Sequence, residues 1–198
     1  GIAQACASGD DYPFCQGPGG YSAAGVNSAT RTQFHLFRLD SQITFTAMVV
    51  ACRGTLAASS MDLGIYAFLG AGKPGACLAS ANLATTATGR ISTTLGSAVT
   101  LQPGLYYVAW HASSTSPTIM TLPSTAAADL AEFSGLAISN AMTQLGAGTT
   151  TLTAVLINDS ALPGAAYSRG MDMTGLTMSS GSIVGYNTVV PVLAVTKQ

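Results

Sequence analysis

VTLQPGLYYVAWHAS, residues 99–113, decides the fold. Its central Gln-Pro-Gly is a tight turn, because proline fixes its own φ and glycine accepts positive φ. The LYYVAWHA that follows is dense in aromatic and β-branched residues, which fit a pleated surface. Read with a period of two, it sends Tyr106, Val108 and Trp110 to one face and Tyr107, Ala109 and His111 to the other. One of these faces is core, and Trp110 is expected there because its strand is the most hydrophobic.

The same period spreads outward. QFHLFRL (33–39) and ITFTAMVVAC (43–52) are β-rich, and in the second Ile43, Phe45 and Ala47 alternate with Thr44 and Thr46. RGTLAASS (53–60) reads as a turn. MDLGIYAFL (61–69) sets Leu63, Ile65, Ala67 and Leu69 against Tyr66 and Phe68, and GAGKPG (70–75) is a turn. ACLASANLATTATGRISTTL (76–95) reads as short apolar pieces and then a threonine-rich strand, since a branched β-carbon suits strands. TLTAVLI (151–157) and TVVPVLAVT (188–196) read as strands. Pro191 cannot donate to a ladder, so the last is expected at an edge or with a bulge. A short helix is expected near 125–133, where Ser124 or Thr125 caps alanine-rich sequence. Residues 158–187 read as a long Gly/Ser/Met-rich loop region. The expected fold is an all-β antiparallel β-sandwich, jelly-roll-like, over residues 32–198, preceded by an irregular N-terminal arm at 1–31.

Charged residues are 8% of the chain, against about 25% in an ordinary domain. Solubility must therefore come from Ser, Thr, Gly, Asn and Gln. With 7 Lys+Arg and a net charge of −1, few phosphates can be neutralised, so no nucleic-acid partner is expected. No apolar run approaches the roughly 20 residues of a membrane helix, so no membrane insertion is expected. The first residues carry no basic-then-apolar leader pattern. Weak net charge suits a subunit that assembles, and homo-oligomers are expected.

Cys6, Cys15, Cys52 and Cys77 admit three pairings. The expected one is Cys6–Cys15, stapling the arm, with Cys52–Cys77 tying a strand to a neighbouring loop. The alternative is four reduced thiols. No CxxC spacing is present and neither His35 nor His111 lies near a cysteine, so no metal site is read.

LGIYAFLGAGKPGACLAS (63–80), ATTATGRISTTL (84–95) and VTLQPGLYYVAW (99–110) occur in fixed order. This succession resembles β-sandwich domains near the C-termini of phage tail-fibre and other virion appendage proteins. PVLAVT (191–196) resembles their closing strand, and the likeness covers about residues 33–197. The cysteine-bearing arm has no counterpart in that pattern. The resemblance implies attachment to a host-surface glycan or a place in virion architecture beside other virion proteins, often as a trimer. It implies a virion or extracellular location, and it transfers no binding residues.

Catalytic signatures are missing from the sequence. GxSxG is absent, Glu132 is the only glutamate, and the aspartates are scattered, so no acid–base pair is read and no enzyme is expected. GAGKPG is not a phosphate loop, because Pro74 breaks it and no helix follows. Asp10-Asp11 alone is too few oxygens for calcium, and no cofactor is expected. Sugar binding needs an aromatic ring beside neutral polar groups. Tyr107, Tyr167 and Tyr186, with Asn158 and Asp159, are the candidate ligand-binding residues, because loops on a rigid sandwich are where recognition sits. Asn158-Asp159-Ser160 is also a glycosylation sequon, meaningful in a eukaryotic source.

Overall fold

The computed structural model describes residues 8–13, 22–25, 32–54, 59–70, 73–113, 118–121, 155–158, 167–175 and 193–198. Every regular element among them is a strand: β1 (Asp11–Pro13), β2 (Ser22–Gly25), β3 (Thr32–Leu39), β4 (Ile43–Gly54), β5 (Ser60–Phe68), β6 (Pro74–Ala84), β7 (Gly89–Leu101), β8 (Gly104–Ala112), β9 (Thr118–Thr121), β10 (Val155–Asn158) and β11 (Leu193–Lys197). The expected helix near 125–133 lies outside the described residues.

Two antiparallel sheets form a sandwich. The first runs β1-β11-β4-β9-β2, with β7 on the other side of β4; the second runs β10-β3-β8-β5-β6. Strand β4 holds the first sheet together, pairing with β7 along Ile43–Cys52 and, on its other side, with β11 and then β9. Strand β8 holds the second, between β3 and β5.

Alternation along β8 falls as expected. Val108, Trp110 and Ala112 enter the interlayer core with Phe37 and Leu39 of β3, Met61, Leu63 and Ile65 of β5, and Phe45, Met48 and Val50 of β4. Trp110 is 1% exposed. On β4 the simple alternation stops after Phe45, where the register shifts before Ala47. The shift turns Met48 and Val50 inward in place of Ala47. A β-bulge inserts one residue and so changes the parity of everything after it. The run 76–95 belongs to two long strands, β6 and β7, which cross from one sheet to the other through residues 85–88. Gly89 leaves that turn at φ +100°, a conformation few other residues adopt.

Two expectations about the ends are corrected. The closing strand is interior, because β1 covers the side of β11 away from β4. Its pairing with β4 shifts register between Thr196 and Lys197, and Pro191 lies outside the described residues. Residues 11–13 and 22–25 of the expected arm are themselves strands of the first sheet.

The Cys52–Cys77 disulfide is also corrected: no disulfide joins them. Cys52 lies on β4 in the first sheet, its thiol directed to the Gly54 carbonyl at 3.0 Å. Cys77 packs on the opposite, outer side of the second sheet. A strand layer stands between them, and a disulfide needs Cα atoms within about 7 Å. Burial pushes both thiols above their ordinary value. Cys6 and Cys15 lie outside the described residues.

The β1 strand is fastened by charge. Asp11 accepts from Arg90 Nε at 2.6 Å and Nη2 at 2.7 Å, and from Thr196 Oγ1 at 2.9 Å. Hydrogen bonding from Arg90 holds the Asp11 carboxyl below its ordinary value against the opposing effect of burial. A depressed acid stabilises the fold fully above its unfolded value and loses that contribution as pH falls through the folded one. The pair is half-exposed, so its worth is under about 1 kcal/mol. Arg90→Ala is expected to lower stability by that amount at neutral pH, with the difference from wild type closing in acid. Denaturant melts of both proteins across pH read this directly.

Candidate functional site on the outer face of the second sheet

The second sheet is apolar on both sides. Its outer face carries a separate buried cluster of Phe34, Tyr66, Tyr107 and Ala109, capped by Met173 and edged by Phe68, Cys77, Tyr167 and Met171. Phe34 meets the Tyr66 ring at 5.6 Å and the Tyr107 ring at 6.5 Å, in the tilted and edge-on arrangements aromatic pairs favour. Residues 167–175 lie over this face as a strap. Its Met173 N–H donates to the Gly75 carbonyl at 3.1 Å, and its Thr174 N–H donates to Asp172 Oδ1 at 2.8 Å. Gly170, at φ +78°, passes so close to Ser80 that a Cβ there would stand 3.2 Å from Oγ.

Register sorts the face into transverse rows. One row is polar: Asn158 of β10 pairs with Thr32 of β3, Thr32 with His111 of β8, His111 with Asp62 of β5, and Asp62 with Asn82 of β6. Within the row His111 Nδ1 bonds Thr32 Oγ1 at 3.1 Å, and Asn82 Nδ2 donates to Asp62 Oδ1 at 2.7 Å. The next row is small, with Ala109, Gly64 and Ser80 in line. The third places Tyr107, Tyr66 and Cys77 in line.

The strap adds two groups to the polar row. Tyr167 stacks on His111, centroids 4.9 Å apart and planes at 28°. Arg169 Nη1 stands 3.8 Å from Asp62 Oδ1. Tyr66 approaches from the other side, its ring lying back over Gly64. Its hydroxyl and that of Tyr167 are buried side by side, and neither has a partner at good hydrogen-bonding geometry. The two hydroxyls are near enough to influence one another, and Tyr66 also senses the Cys77 thiol. Burial pushes Tyr66 far above its ordinary value and Tyr167 up to about 12.

The sequence-named residues separate here. Tyr167 is in the site, and Asn158 of β10 is in backbone register with Thr32. Tyr107 is buried below the strap side of the sheet, its hydroxyl donating to the Gly70 carbonyl at 3.1 Å. Tyr186 and Asp159 lie outside the described residues. Asp62, Asn82 and His111 belong to the site without standing among the sequence candidates. Their only signal was a polar residue opposite an apolar face, which many strands carry. Among the described residues no group of three or more His, Cys, Asp or Glu side chains is set to hold a metal.

The arrangement offers an aromatic ring, a carboxylate, a carboxamide, a guanidinium and hydroxyls on a rigid sheet. These groups can hydrogen-bond, stack and carry charge. No family model matches the chain, and no curated protein matches it.

Gly64 keeps the Tyr66 ring in place. A Cβ there would stand 2.5 Å from Tyr66 Cε2, and the fully buried ring has Phe34 against it. Gly64→Ala is expected to cost about 1–3 kcal/mol of stability in denaturant unfolding, as overpacked cores do.

Proposed function

We propose that this chain is a non-catalytic domain of a virion appendage, of the tail-fibre or receptor-binding kind, that attaches to host-surface glycans. The observation that carries the reading is the polar row Thr32–His111–Asp62–Asn82 with Tyr167 stacked at its centre. An aromatic ring takes the apolar face of a pyranose, and the neighbouring carboxylate and amide read its hydroxyls. With only 8% charged residues, the surface suits a neutral partner.

Wiring supports the structural side of the reading. The strands β2-β9-β4-β7 face β3-β8-β5-β6, and the chain passes between the two sets as two Greek keys would wind it. That order favours a jelly roll, an architecture used by viral capsid and lectin domains. That no disulfide joins Cys52 to Cys77 agrees with a particle assembled in a reducing cytosol.

A glycan array probed with the purified chain tests the attachment role. Wild type is expected to bind a neutral host polysaccharide, and Asp62→Asn to bind it about tenfold more weakly, the loss of roughly one charge-assisted hydrogen bond. A blank array across host glycans would sink the proposal.

A second reading, a capsid-decorating or filament subunit without its own ligand, draws on exposed Leu69 (55%), Leu78 (37%) and Leu105 (38%). In that case light scattering is expected to show a trimer or larger assembly that Leu69→Ser with Leu105→Ser reduces to monomer. Deleting residues 1–31 is a poor test, because it removes β1 and β2 from the first sheet. A wild type that stays monomeric when concentrated rules the second reading out.

A further inference from the structure

Among the described residues five strands border the two sheets: β1, β2 and β7 in the first, β6 and β10 in the second. Four of them are guarded. β1, β2 and β10 are three or four residues long, too short to template much of another strand. β6 is long, but it begins at Pro74 and its register against β5 shifts twice. Its Asn82 carbonyl accepts from Thr93 Oγ1 at 2.7 Å, and its Gly75 carbonyl accepts from Met173 N–H at 3.1 Å. Proline, irregular register and covering contacts all blunt an edge.

β7 is different. It runs 13 residues, pairs on one side with β4, and has no described strand along the other. Gly89–Thr94 keeps an unbroken register opposite Ala47–Cys52, before residues 95–98 bulge opposite Thr46. Ser92 and Thr94 are exposed, and Ile91 and Thr93 are half-buried. The β-branched side chains suit a pleated strand. Such edges are commonly defended by charge, and the one charged residue of β7 is Arg90. Its guanidinium is turned back over its own sheet, to Asp11 at 2.6 and 2.7 Å, Thr196 at 2.8 Å and Ser92 at 3.1 Å. Held there, it does not guard the edge.

The outward N–H and C=O groups of an open edge are met in regular fashion by another strand. For a second copy of the chain, β7 is its own match. In an antiparallel pair across a two-fold axis, residues that face one another lie on the same side of the sheet. An axis at Ser92 meets that condition. Ser92 then faces Ser92, where two hydroxyls can bond, while Ile91 faces Thr93 and Arg90 faces Thr94. The two Arg90 positions stand about 13 Å apart along the strands, so like charges do not meet. A net charge of −1 also gives little repulsion between copies.

We propose that Gly89–Thr94 is a self-association edge. Two copies of this chain pair β7 to β7, antiparallel about a two-fold axis at Ser92, and join their first sheets into one. So short a seam makes a weak, concentration-dependent dimer. It lies apart from the polar row and stands or falls independently of glycan attachment.

Sedimentation velocity on the full chain over a concentration series tests it. Wild type is expected to pass from monomer to dimer. Ser92→Lys and Ser92→Glu each set like charges face to face at the axis, so each is expected to dimerise severalfold more weakly. An equal mixture of the two sets Lys against Glu and is expected to recover the dimer. Ser92 is exposed, so both variants are expected to fold, and recovery on mixing is a result that misfolding would not give. A wild type still monomeric at about 1 mM, a dimer that both variants leave intact, or a mixture no stronger than either variant alone overturns the pairing. A wild-type trimer overturns it too and points to the exposed leucines instead.

Discussion

Strand β8 sends apolar side chains to both of its faces, and that two-sidedness constrains the rest of the molecule. Val108, Trp110 and Ala112 need one cover, and Tyr107 and Ala109 need another. The first cover is the other sheet, centred on β4. The second is the short strap 167–175, which brings Met171 and Met173 onto the aromatic cluster. Methionine suits this task because its flexible, polarizable chain fills irregular gaps over aromatic rings. The strap and the candidate site are thus two results of one requirement, that a sheet apolar on both sides be covered on both.

The site's chemistry follows from how that cover is made. A second sheet would pair its backbone groups with its own strands and bring regular apolar rows. The strap brings a tyrosine and an arginine instead, and sets them beside the polar row at one end of the face. Tyr66 fits beneath only because Gly64 leaves its strand bare at that point. The result is a polar margin beside a dry aromatic cluster, with two phenol hydroxyls lacking well-placed partners. Low dielectric makes such leftover capacity consequential in either direction, costly when empty and strong when filled.

Charge plays a small part elsewhere. Arg90 joins β7 to β1 and β11 through Asp11 and Thr196, so one guanidinium ties the two ends of the chain to the first sheet. In a chain with so few charges the bidentate geometry matters, because it sets the position of a three-residue strand that has little core of its own.

By itself the sequence determined the strand class, the turns at Gln102-Pro103-Gly104 and between Gly70 and Lys73, and the placement of Trp110 in the core. Those are local matters: a period of two and the backbone limits of proline and glycine act within a few residues. Tertiary structure alone decided the interior position of β11, the separation of Cys52 from Cys77 and the parity change along β4. Strand order, sheet sidedness and bulges depend on partners distant in the chain. The polar row shows the same division. His111 and Asp62 were legible as polar residues of strands, but only register between four strands aligns them with Thr32 and Asn82. Tyr167 was legible as a loop aromatic; that it stacks on His111 was not, because 56 residues of chain separate them and only folding brings them together.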